Sequence, residues 1–233
     1  APVKPTGERY ALDADGLRLL APVIPSKVYG LAKNYEAHAQ FMHESGHSEI
    51  AHAPEDMVIF SKPSTSVIGP DDPIVIPSYS NDMNFEPEVA VIMGRIAKNV
   101  PVEKAMDYVL GFTCVNDVTL RDLQGLDPMW TRAKGFDTSC PLGPWIQTEL
   151  DWKDAKISFT LNGEDVPMAS GTTANLIHGI PEQIAAISSF STLLPGDVIM
   201  TGTPNASGHL DPGDEPIVHV AGIGSLRNVV VRG

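Results

Sequence analysis

The stretch that decides the fold is residues 84–94, Asn-Phe-Glu-Pro-Glu-Val-Ala-Val-Ile-Met-Gly, in which two carboxylates precede an apolar run. Successive side chains of a β-strand point to opposite faces, so Glu86 and Glu88 would share one face of a strand here. The opposite face would carry the alternate side chains Phe85, Pro87, Val89, Val91 and Met93. The pattern therefore predicts a strand with two like charges side by side.

Two carboxylates about 5–7 Å apart repel each other unless a cation lies between them or one of them takes up a proton. A hard divalent metal ion is the simplest partner for such a pair. The alternative is a solvent-facing strand at a sheet edge that begins at Pro87, where proline is tolerated because no ladder donor is needed. The spacing of the two carboxylates leaves both interpretations open.

Length and charge limit the classes of protein to which the chain can belong. Its 233 residues allow one large domain or two small ones, and 42% hydrophobic with 19% charged residues is ordinary for a soluble globular protein. Sixteen basic and 29 acidic residues give a net charge of −13, which disfavours nucleic acid and anionic membranes as partners. An anionic substrate would therefore need a local cationic centre.

The sequence also predicts where the protein resides. No apolar run approaches the ~20 residues of a membrane span, and the N-terminal residues contain no apolar signal core. The two cysteines, Cys114 and Cys140, make no disulfide framework. We therefore expect a reduced, cytoplasmic protein.

The chain is predicted to divide into a small N-terminal appendage, residues 1–24, and a catalytic domain, residues 25–233. In the appendage, a turn at Asp15-Gly16 would form a hairpin. Its facing apolar side chains would be Tyr10, Leu12, Leu17 and Leu19.

Short apolar segments separated by proline and glycine predict many strands and few helices. The predicted strands are residues 27–32, 57–61, 73–77, 109–117 and 198–203, with hairpins around Asn162-Gly163 and around Gly222 and Gly224. The predicted helices are residues 34–42 with Asn34 as the cap, 101–108, 119–124 and 180–194. These elements predict an α+β fold dominated by β-sheet.

Residues 43–54 are polar and contain Gly46 as a pivot, so we predict a loop. Together with residues 41 and 42, this segment is predicted to close over bound ligand as a lid. The loop carries His43, His47 and His52, but their spacings of four and five fit no compact metal-binding signature. Solvent-exposed histidines are therefore the preferred interpretation.

Four motifs occur in order along the chain. They are Phe-Glu-Pro-Glu-Val-Ala-Val-Ile-Met-Gly at 85–94, Val-Asn-Asp-Val-Thr-Leu-Arg-Asp-Leu-Gln at 115–124, Ala-Lys-Gly-Phe-Asp-Thr-Ser-Cys-Pro-Leu-Gly-Pro-Trp at 133–145, and Pro-Gly-Asp-Val-Ile-Met-Thr-Gly-Thr-Pro at 195–204. Together they resemble the signatures of the fumarylacetoacetate hydrolase family, from about residue 28 to the C-terminus. The resemblance implies a rolled, mixed β-sheet core with short helices, a homodimer, and Mg²⁺ or Mn²⁺ bound by Glu-x-Glu and a later Asp.

Carried over by motif, the metal ligands are Glu86, Glu88 and Asp117. Asp117 ends a predicted apolar strand 29 residues after Glu88, and an ordinary turn aspartate is its alternative. Three hard oxygen ligands leave about three octahedral positions for water and a chelating substrate. The resemblance implies small anionic 2-oxo or 2,4-dioxo acids as substrates, since their carboxylate and keto oxygens can chelate the ion.

Four more residues are predicted for the site, two by the same resemblance and two by their spacing from Asp117. Lys134 matches the family's active-site lysine, and Thr203 matches a residue that contacts the substrate carboxylate. Arg121 and Gln124 lie one and two helical turns beyond Asp117, so they are predicted to bind substrate in the same cavity. The alternatives are a surface lysine at 134 and an exposed helix face at 121 and 124.

His38 aligns with the family histidine that acts as general base, a task that suits an imidazole near neutral pH. Related hydrolases often carry Glu three residues after this histidine, whereas this chain has Phe41. Glu44 or Glu36 replaces that carboxylate, or the pair is absent. We therefore predict that His38 activates water less well, and that decarboxylation of oxaloacetate exceeds hydrolysis of acylpyruvates.

The sequence thus predicts a metal-dependent enzyme that cleaves a C–C bond beside a carbonyl in small 2-oxo acids, by oxaloacetate decarboxylation or acylpyruvate hydrolysis. A 2-hydroxyhepta-2,4-diene-1,7-dioate isomerase or decarboxylase is the close alternative, because moving a proton on a dienol uses the same residues. A non-catalytic, metabolite-binding homologue is the alternative from another class. The three acids argue against it, since a degenerate copy would not need all of them.

Overall fold

The computed structural model describes residues 7–8, 11, 16–49 and 52–233. Tyr10, Leu12 and Asp15 of the predicted N-terminal hairpin lie outside these residues, so the hairpin stays a prediction. Within the described ranges, no helix combines the length and the apolar character needed to cross a bilayer.

The described part of the chain consists mainly of short strands. They are β1 (Val28–Ala32), β2 (Val58–Lys62), β3 (Val67–Ile68), β4 (Pro73–Ile76), β5 (Met83–Phe85), β6 (Pro87–Met93), β7 (Val109–Asn116), β8 (Thr119–Leu120), β9 (Cys140–Gln147), β10 (Lys156–Leu161), β11 (Glu164–Asp165), β12 (Gly171–Thr172), β13 (Val198–Met200), β14 (Gly208–His209), β15 (Pro216–Val220), β16 (Gly224–Arg227) and β17 (Val229–Arg232). The α-helices are α1 (Glu36–Glu44), α2 (Arg121–Gln124), α3 (Thr131–Lys134) and α4 (Ile180–Phe190), with 3₁₀ turns at Ser64–Ser66, Val102–Tyr108, Pro167–Ala169 and Thr173–Asn175. The predicted β-rich α+β fold is confirmed.

Seven strands form one mixed sheet in the order β2-β1-β13-β6-β7-β9-β3. Strands β2 and β3 occupy opposite edges of this sheet, yet only residues 63–66 connect them. Because an extended chain spans at most about 3.6 Å per residue, the sheet has to curl to bring its two edges near each other. The curl agrees with the predicted rolled core.

Strand β6 is central in this sheet, and all seven of its residues are buried. Its alternate side chains enter two separate apolar clusters, one with Val89, Val91 and Met93 and the other with Ala90 and Ile92. The predicted alternation is therefore confirmed. The alternative of a solvent-facing edge strand is wrong, because β13 and β7 cover both sides of β6.

A second sheet packs against β6, β7 and β9 of the main sheet. It has the order β11-β10-β15-β16, with β12 paired to β10. Phe159 of β10 stacks on Phe85 of β5 with ring centroids 4.0 Å apart. Helix α4 buries Ile180, Ile184 and Ile187 and packs against the 3₁₀ turn Val102–Tyr108. The larger core therefore lies between the two sheets and under α4.

Strand directions bring several chain segments together at one end of the strands of the main sheet. Strands β1 and β13 are parallel, while β6 is antiparallel to both β13 and β7. The ends of β1, β13 and β7 therefore lie beside the start of β6. Residues 31–33, 86–88, 117 and 201–203 therefore lie together at this end of the sheet.

The predicted helix cap at Asn34 is wrong. Helix α1 begins at Glu36, and its cap position, Tyr35, makes no side-chain capping bond. The Asn34 amide instead donates to the backbone carbonyls of Thr201 (2.9 Å) and His178 (3.0 Å). Since Asn34 follows β1 and Thr201 follows β13, this side chain connects two strand ends at the same end of the sheet.

Three helix boundaries also differ from the predictions. Thr119 and Leu120 pair with Asn84 and Met83 of β5 as strand β8, and helix α2 begins only at Arg121. Helix α1 continues to Glu44, so the polar segment starts as helix, and α4 ends at Phe190, short of residue 194. Cross-strand hydrogen bonds and burial determine whether a short segment such as β8 is a strand. Local residue propensity carries no information about those contacts.

Asp197 fixes the parallel start of β1 and β13. Its carboxylate accepts hydrogen bonds from the backbone N–H groups of Ser26 (3.0 Å), Lys27 (3.3 Å) and Leu194 (2.7 Å) and from the Ser26 hydroxyl (2.6 Å). Lys27 Nζ lies 2.5 Å from the same carboxylate. Burial raises the pKa of Asp197, but these donors outweigh burial and hold the pKa below its ordinary value.

Asp197→Asn should lower the free energy of unfolding by about 2 kcal/mol at pH 7, because an amide cannot accept from all of these donors. The folded carboxyl has the lower pKa, so the unfolded chain binds the proton more readily. The wild-type advantage is therefore complete above the unfolded pKa of about 3.9 and is lost as pH falls through the folded value. Urea unfolding of both proteins at pH 7 and at acid pH measures this. A pH-independent difference would contradict the role of the ionised carboxylate.

Candidate active site

Three buried carboxylates meet at the end of the main sheet where β1, β13 and β7 end and β6 begins. Glu86 lies between β5 and β6, Glu88 lies in β6, and Asp117 directly follows β7. One ligand atom from each lies within 4.8 Å of the others, and the residues are 4%, 2% and 1% exposed. The backbone N–H of Asp117 donates to the carbonyl of Glu86 at 2.9 Å, which holds the two segments together. The structure thus assembles the predicted triad.

Buried cations neutralise two of the three carboxylates. Lys134 Nζ donates to Asp117 Oδ2 (2.6 Å) and Glu86 Oε2 (3.0 Å). Arg121 pairs with the other oxygen of Glu86, and Lys62 Nζ lies 2.7 Å from Asp117 Oδ1. Burial raises the pKa of Glu86, but Lys134 and Arg121 outweigh it and hold that pKa far below its ordinary value. Glu86 is therefore a carboxylate with its charge balanced.

Glu88 forms no ion pair among the described residues. Its Oε2 accepts a hydrogen bond from the backbone N–H of Gly202 at 2.7 Å. Burial, followed by the carboxylates of Asp117 and Glu86, raises the pKa of Glu88 well above its ordinary value. Gly202 has φ of +105°, and a Cβ there would lie 3.0 Å from Asn34 Cβ. Glycine therefore permits the close backbone approach that Glu88 needs.

This donor set fits a hard divalent cation. All three side chains offer carboxylate oxygens, the ligands that Mg²⁺ and Mn²⁺ prefer. Burial and the neighbouring carboxylates disfavour the charged form of Glu88, and a bound cation would favour it. The residues are therefore suited to hold a divalent ion.

Lys62 also belongs to this network, and it is not among the residues predicted for the site. Its side chain is fully buried, and Nζ donates to the carbonyls of Ser139 (2.6 Å) and Val118 (3.1 Å) as well as contacting Asp117. The one signal in the sequence is a lysine that ends an apolar strand just before Pro63. That signal does not separate a buried lysine from the exposed lysines that are far commoner.

A pocket opens onto the triad. Its predicted lining residues are His38, Glu86, Glu88, Asp117, Gln124, Lys134 and Thr203. The pocket is completed by Leu31, Ala32, Lys33, Met42 and Trp130. Seven of the nine predicted site residues thus share one pocket, and the two that do not line it are Arg121 and Glu44.

Arg121 reaches the site through its neighbours. Its Nη1 donates to Gln124 Oε1 (2.6 Å), and its Nη2 donates to Ser207 Oγ (2.7 Å) as well as pairing with Glu86. The guanidinium therefore orients Gln124, which does line the pocket. Direct contact of Arg121 with a substrate stays a prediction.

Thr203 lies on the pocket wall, three residues after the end of β13. Its Oγ1 donates to the carbonyl of Pro87 at 3.1 Å, beside the carboxylate strand. This bond fixes the side chain while leaving the residue in the lining. Its predicted contact with substrate is compatible with that location and stays a prediction.

His38 lies on α1 with its imidazole in the pocket. Its Nδ1 is 2.5 Å from the backbone carbonyl oxygen of Asn205. A carbonyl only accepts, so Nδ1 carries the hydrogen and Nε2 is left as the proton acceptor. Burial lowers the pKa of His38 to about 4, although the Glu86 carboxylate opposes the effect, so the imidazole is neutral at pH 7.

The Asn205 carbonyl orients the imidazole of His38. Phe41 lies beside the imidazole with ring centroids 6.4 Å apart and an interplanar angle of 25°. Glu44 is exposed at the end of α1 and bonds to a neighbouring glutamine, while Glu36 pairs with a loop histidine. In this structure neither glutamate orients the imidazole, so the proposed catalytic role of Glu44 stays a prediction.

The three loop histidines do not join the site in the described ranges. His43 Nδ1 contacts the carbonyl of Ser48 at 3.1 Å, and His52 Nδ1 lies 2.5 Å from the Glu36 carboxylate. His47 is exposed, as are the other two. These side chains have local partners or face solvent.

Comparison with known proteins places this pocket in a family. The family model described as fumarylacetoacetate (FAA) hydrolase C-terminal matches residues 27–231. The chain belongs to the fumarylacetoacetate hydrolase family. The resemblance inferred from the four motifs is therefore confirmed, and the curled mixed sheet is the fold of this family.

Three similar proteins show the range of reactions in the family. The mitochondrial oxaloacetate tautomerase Fahd2a of Rattus norvegicus is 38% identical over 224 residues, covering 91% of this chain and 69% of the relative. The crystal structure of 2-hydroxyhepta-2,4-diene-1,7-dioate isomerase from Mycobacterium marinum is 41% identical with a TM-score of 0.86, covering 98% of this chain and 82% of that one. The crystal structure of fumarylpyruvate hydrolase from Pseudomonas aeruginosa, in complex with Mn²⁺ and pyruvate, is 29% identical with a TM-score of 0.81, covering 94% of each chain. The relatives are thus enzymes of several reaction classes.

Glu88→Gln should leave the metal-free protein at least as stable as the wild type, with a gain of up to about 1 kcal/mol, because it removes a buried carboxylate that forms no ion pair. The same change should abolish the rise in Tm that Mn²⁺ produces. Asp117→Asn is the matched contrast. It breaks the contacts with Lys134 and Lys62 and should cost the metal-free protein about 3 kcal/mol.

Scanning calorimetry of the three proteins, with a chelator and then with Mn²⁺, measures both effects. A Mn²⁺-dependent rise in Tm that survives in Glu88→Gln would contradict the assignment of Glu88 as a ligand.

Proposed function

We propose that this protein is a divalent-metal-dependent enzyme that forms the enolate of small 2-oxo acids and cleaves the C–C bond beside the carbonyl, with oxaloacetate as the preferred kind of substrate. The observation that carries the proposal is the buried carboxylate triad sharing one pocket with the neutral imidazole of His38. Glu86, Glu88 and Asp117 would hold Mg²⁺ or Mn²⁺. When bound there, the ion supplies a Lewis acid for the substrate carbonyl.

Lys134 is placed to stabilise negative charge that develops on the substrate. Burial lowers its pKa, but Asp117 and Glu86 outweigh burial and raise it, so the side chain is an ammonium at neutral pH. A preorganised donor in a buried site is worth more than the same donor in water. Gln124 and Thr203 line the same pocket and are the proposed partners of the substrate carboxylate.

His38 is suited to proton transfer with carbon more than to hydrolysis. In oxaloacetate decarboxylation the C3–C4 bond breaks, CO₂ leaves and C3 takes up a proton, so no water has to attack. Acylpyruvate hydrolysis requires the base to take a proton from water and become imidazolium. A carboxylate behind the ring would stabilise that cation, whereas the Asn205 carbonyl carries no charge.

The relatives support enolate chemistry on this type of substrate. Tautomerisation of oxaloacetate, the reaction named for the Rattus norvegicus relative, moves a proton at C3 without cleaving a bond. Isomerisation of a hydroxydienedioate, named for the Mycobacterium marinum relative, is the second candidate. The observation that favours it is that His38 and Lys134 offer a base and an acid in one pocket. The retained triad, network and pocket disfavour a non-catalytic homologue.

With Mg²⁺ present, the wild type should decarboxylate oxaloacetate faster than it hydrolyses acetylpyruvate. His38→Asn should lower the hydrolysis rate by about 100-fold or more, the usual contribution of a general base, and lower decarboxylation by less. Glu44→Gln is the matched control and should change neither rate, because Glu44 is exposed and bonded to Gln40. Coupled assays of pyruvate release measure both reactions.

Two outcomes would contradict this scheme. A large loss of hydrolysis in Glu44→Gln would mean that Glu44 reaches His38 during turnover, which removes the reason for a decarboxylase preference. Efficient acetylpyruvate hydrolysis by both variants would exclude His38 as the base that activates water.

We further propose that the protein is a homodimer whose pocket is closed by residues 41–54. The homodimer is what the family resemblance implies. Support for the closure comes from Met42, which lines the pocket, and from Ser48, which accepts a hydrogen bond from pocket residue Lys33 at 2.6 Å. Light scattering should give twice the 25.0 kDa chain mass. Proteolysis between residues 45 and 54 should slow when Mg²⁺ and oxalate are added together. A monomer would contradict the dimer, and equal cleavage would contradict the closure.

A further inference from the structure

Lys33 is a pocket-lining cation that forms no ion pair within the described part of the chain. The other basic residues at the site each contact Glu86 or Asp117, namely Lys62, Arg121 and Lys134. The Nζ of Lys33 donates to the hydroxyl of Ser48 at 2.6 Å. A hydroxyl is neutral, so the ammonium charge of Lys33 is available to an anion in the pocket.

The backbone holds Lys33 firmly in the pocket wall. The residue directly follows β1, between Ala32, which lines the pocket, and Asn34, which ties the end of β1 to Thr201. Its φ of +54° is in the left-handed region, which residues with a side chain seldom adopt. Such a conformation persists where the surrounding structure fixes it, and it is concentrated at functional sites. Lys33 is therefore unlike a freely moving surface lysine.

Charge balance in the pocket favours a ligand with two negative charges. The three carboxylates of the triad are matched in number by Lys62, Arg121 and Lys134. Lys33 adds one positive charge, and a divalent ion held by the triad would add two more. A ligand with two carboxylates cancels more of this positive charge than a monocarboxylate does.

We propose that Lys33 is a specificity-determining residue that binds the second carboxylate of a dicarboxylic 2-oxo acid. This inference rests on the proposed function and deepens it by naming the residue that selects dicarboxylates, the class to which oxaloacetate belongs. The 2-oxo end of the substrate lies at the triad and Lys134. The distal carboxylate accepts a charge-assisted hydrogen bond from Lys33 Nζ, in addition to the Ser48 hydroxyl or in its place.

The test compares two unreactive 2-hydroxy acids, lactate and malate, which share the chelating end and differ by the second carboxylate. Calorimetric titration of the Mg²⁺-loaded wild type should give a Kd for malate about tenfold lower than for lactate, the effect of one charge-assisted hydrogen bond. Lys33→Met should raise the Kd for malate about tenfold and leave that for lactate within about twofold. Lys33→Arg keeps the charge and should keep the preference.

Three further variants serve as controls, with thermal melting to check that each is folded. Lys33→Gln is an independent neutral replacement and should behave as Lys33→Met does. Lys104→Met removes the same charge from the exposed 3₁₀ turn Val102–Tyr108 and should change neither Kd. Ser48→Ala removes the hydroxyl partner of Lys33 and should retain the malate preference, since the ligand contact belongs to Lys33.

The proposal is overturned if the wild type binds both acids equally, if loss of the Lys33 charge weakens both equally, or if Ser48→Ala reproduces the Lys33→Met result. Because the readout is binding, its failure is distinct from failure of the proposed function. A Lys33-dependent malate preference in a protein that does not turn over oxaloacetate supports the role of Lys33 and overturns the catalytic proposal. Oxaloacetate turnover without a malate preference overturns the role of Lys33 alone.

Discussion

Charge balance among buried side chains is the constraint on which the rest of this structure depends. Glu86, Glu88 and Asp117 bring three carboxylates within 4.8 Å of one another in an almost fully buried site. Such a cluster is stable only if positive charge is brought to it or one of the carboxylates takes up a proton. The curled sheet meets this need because it places two lysines in contact with Asp117. They are Lys134 of α3 and Lys62 of the edge strand β2.

The compensation is unequal, and the inequality connects stability with function. Glu86 and Asp117 each contact two cationic side chains. Glu88 has the N–H of Gly202 instead of a cation. The protein can therefore fold without an added ion, while Glu88 remains a ligand whose charged form an added cation would favour. A site of this kind would bind a hard cation without needing that cation for folding.

The segment that follows β13 organises the groups around the triad. The N–H of Gly202 bonds to Glu88, the carbonyl of Asn205 orients the imidazole of His38, and the hydroxyl of Ser207 accepts from Arg121. One short segment thus sets the positions of an acid, a base and a guanidinium. At the other end of β13, the Asp197 carboxylate fixes its pairing with β1. Strand β13 and the segment after it therefore fix the positions of these pocket groups relative to the sheet.

The sequence by itself determined the strand of residues 84–94, its two faces, the acid triad and the family, because a period of two and four ordered motifs are local properties of the chain. Tertiary structure decided what depends on distant contacts. Lys62 reaches the carbonyl of Val118 across 56 residues, and His38 reaches that of Asn205 across 167. The pairing that makes β8 a strand likewise comes from β5. No local pattern encodes which backbone carbonyl or unpaired cation the folded chain will bring to a pocket, because only the packing of the curled sheet brings those atoms together.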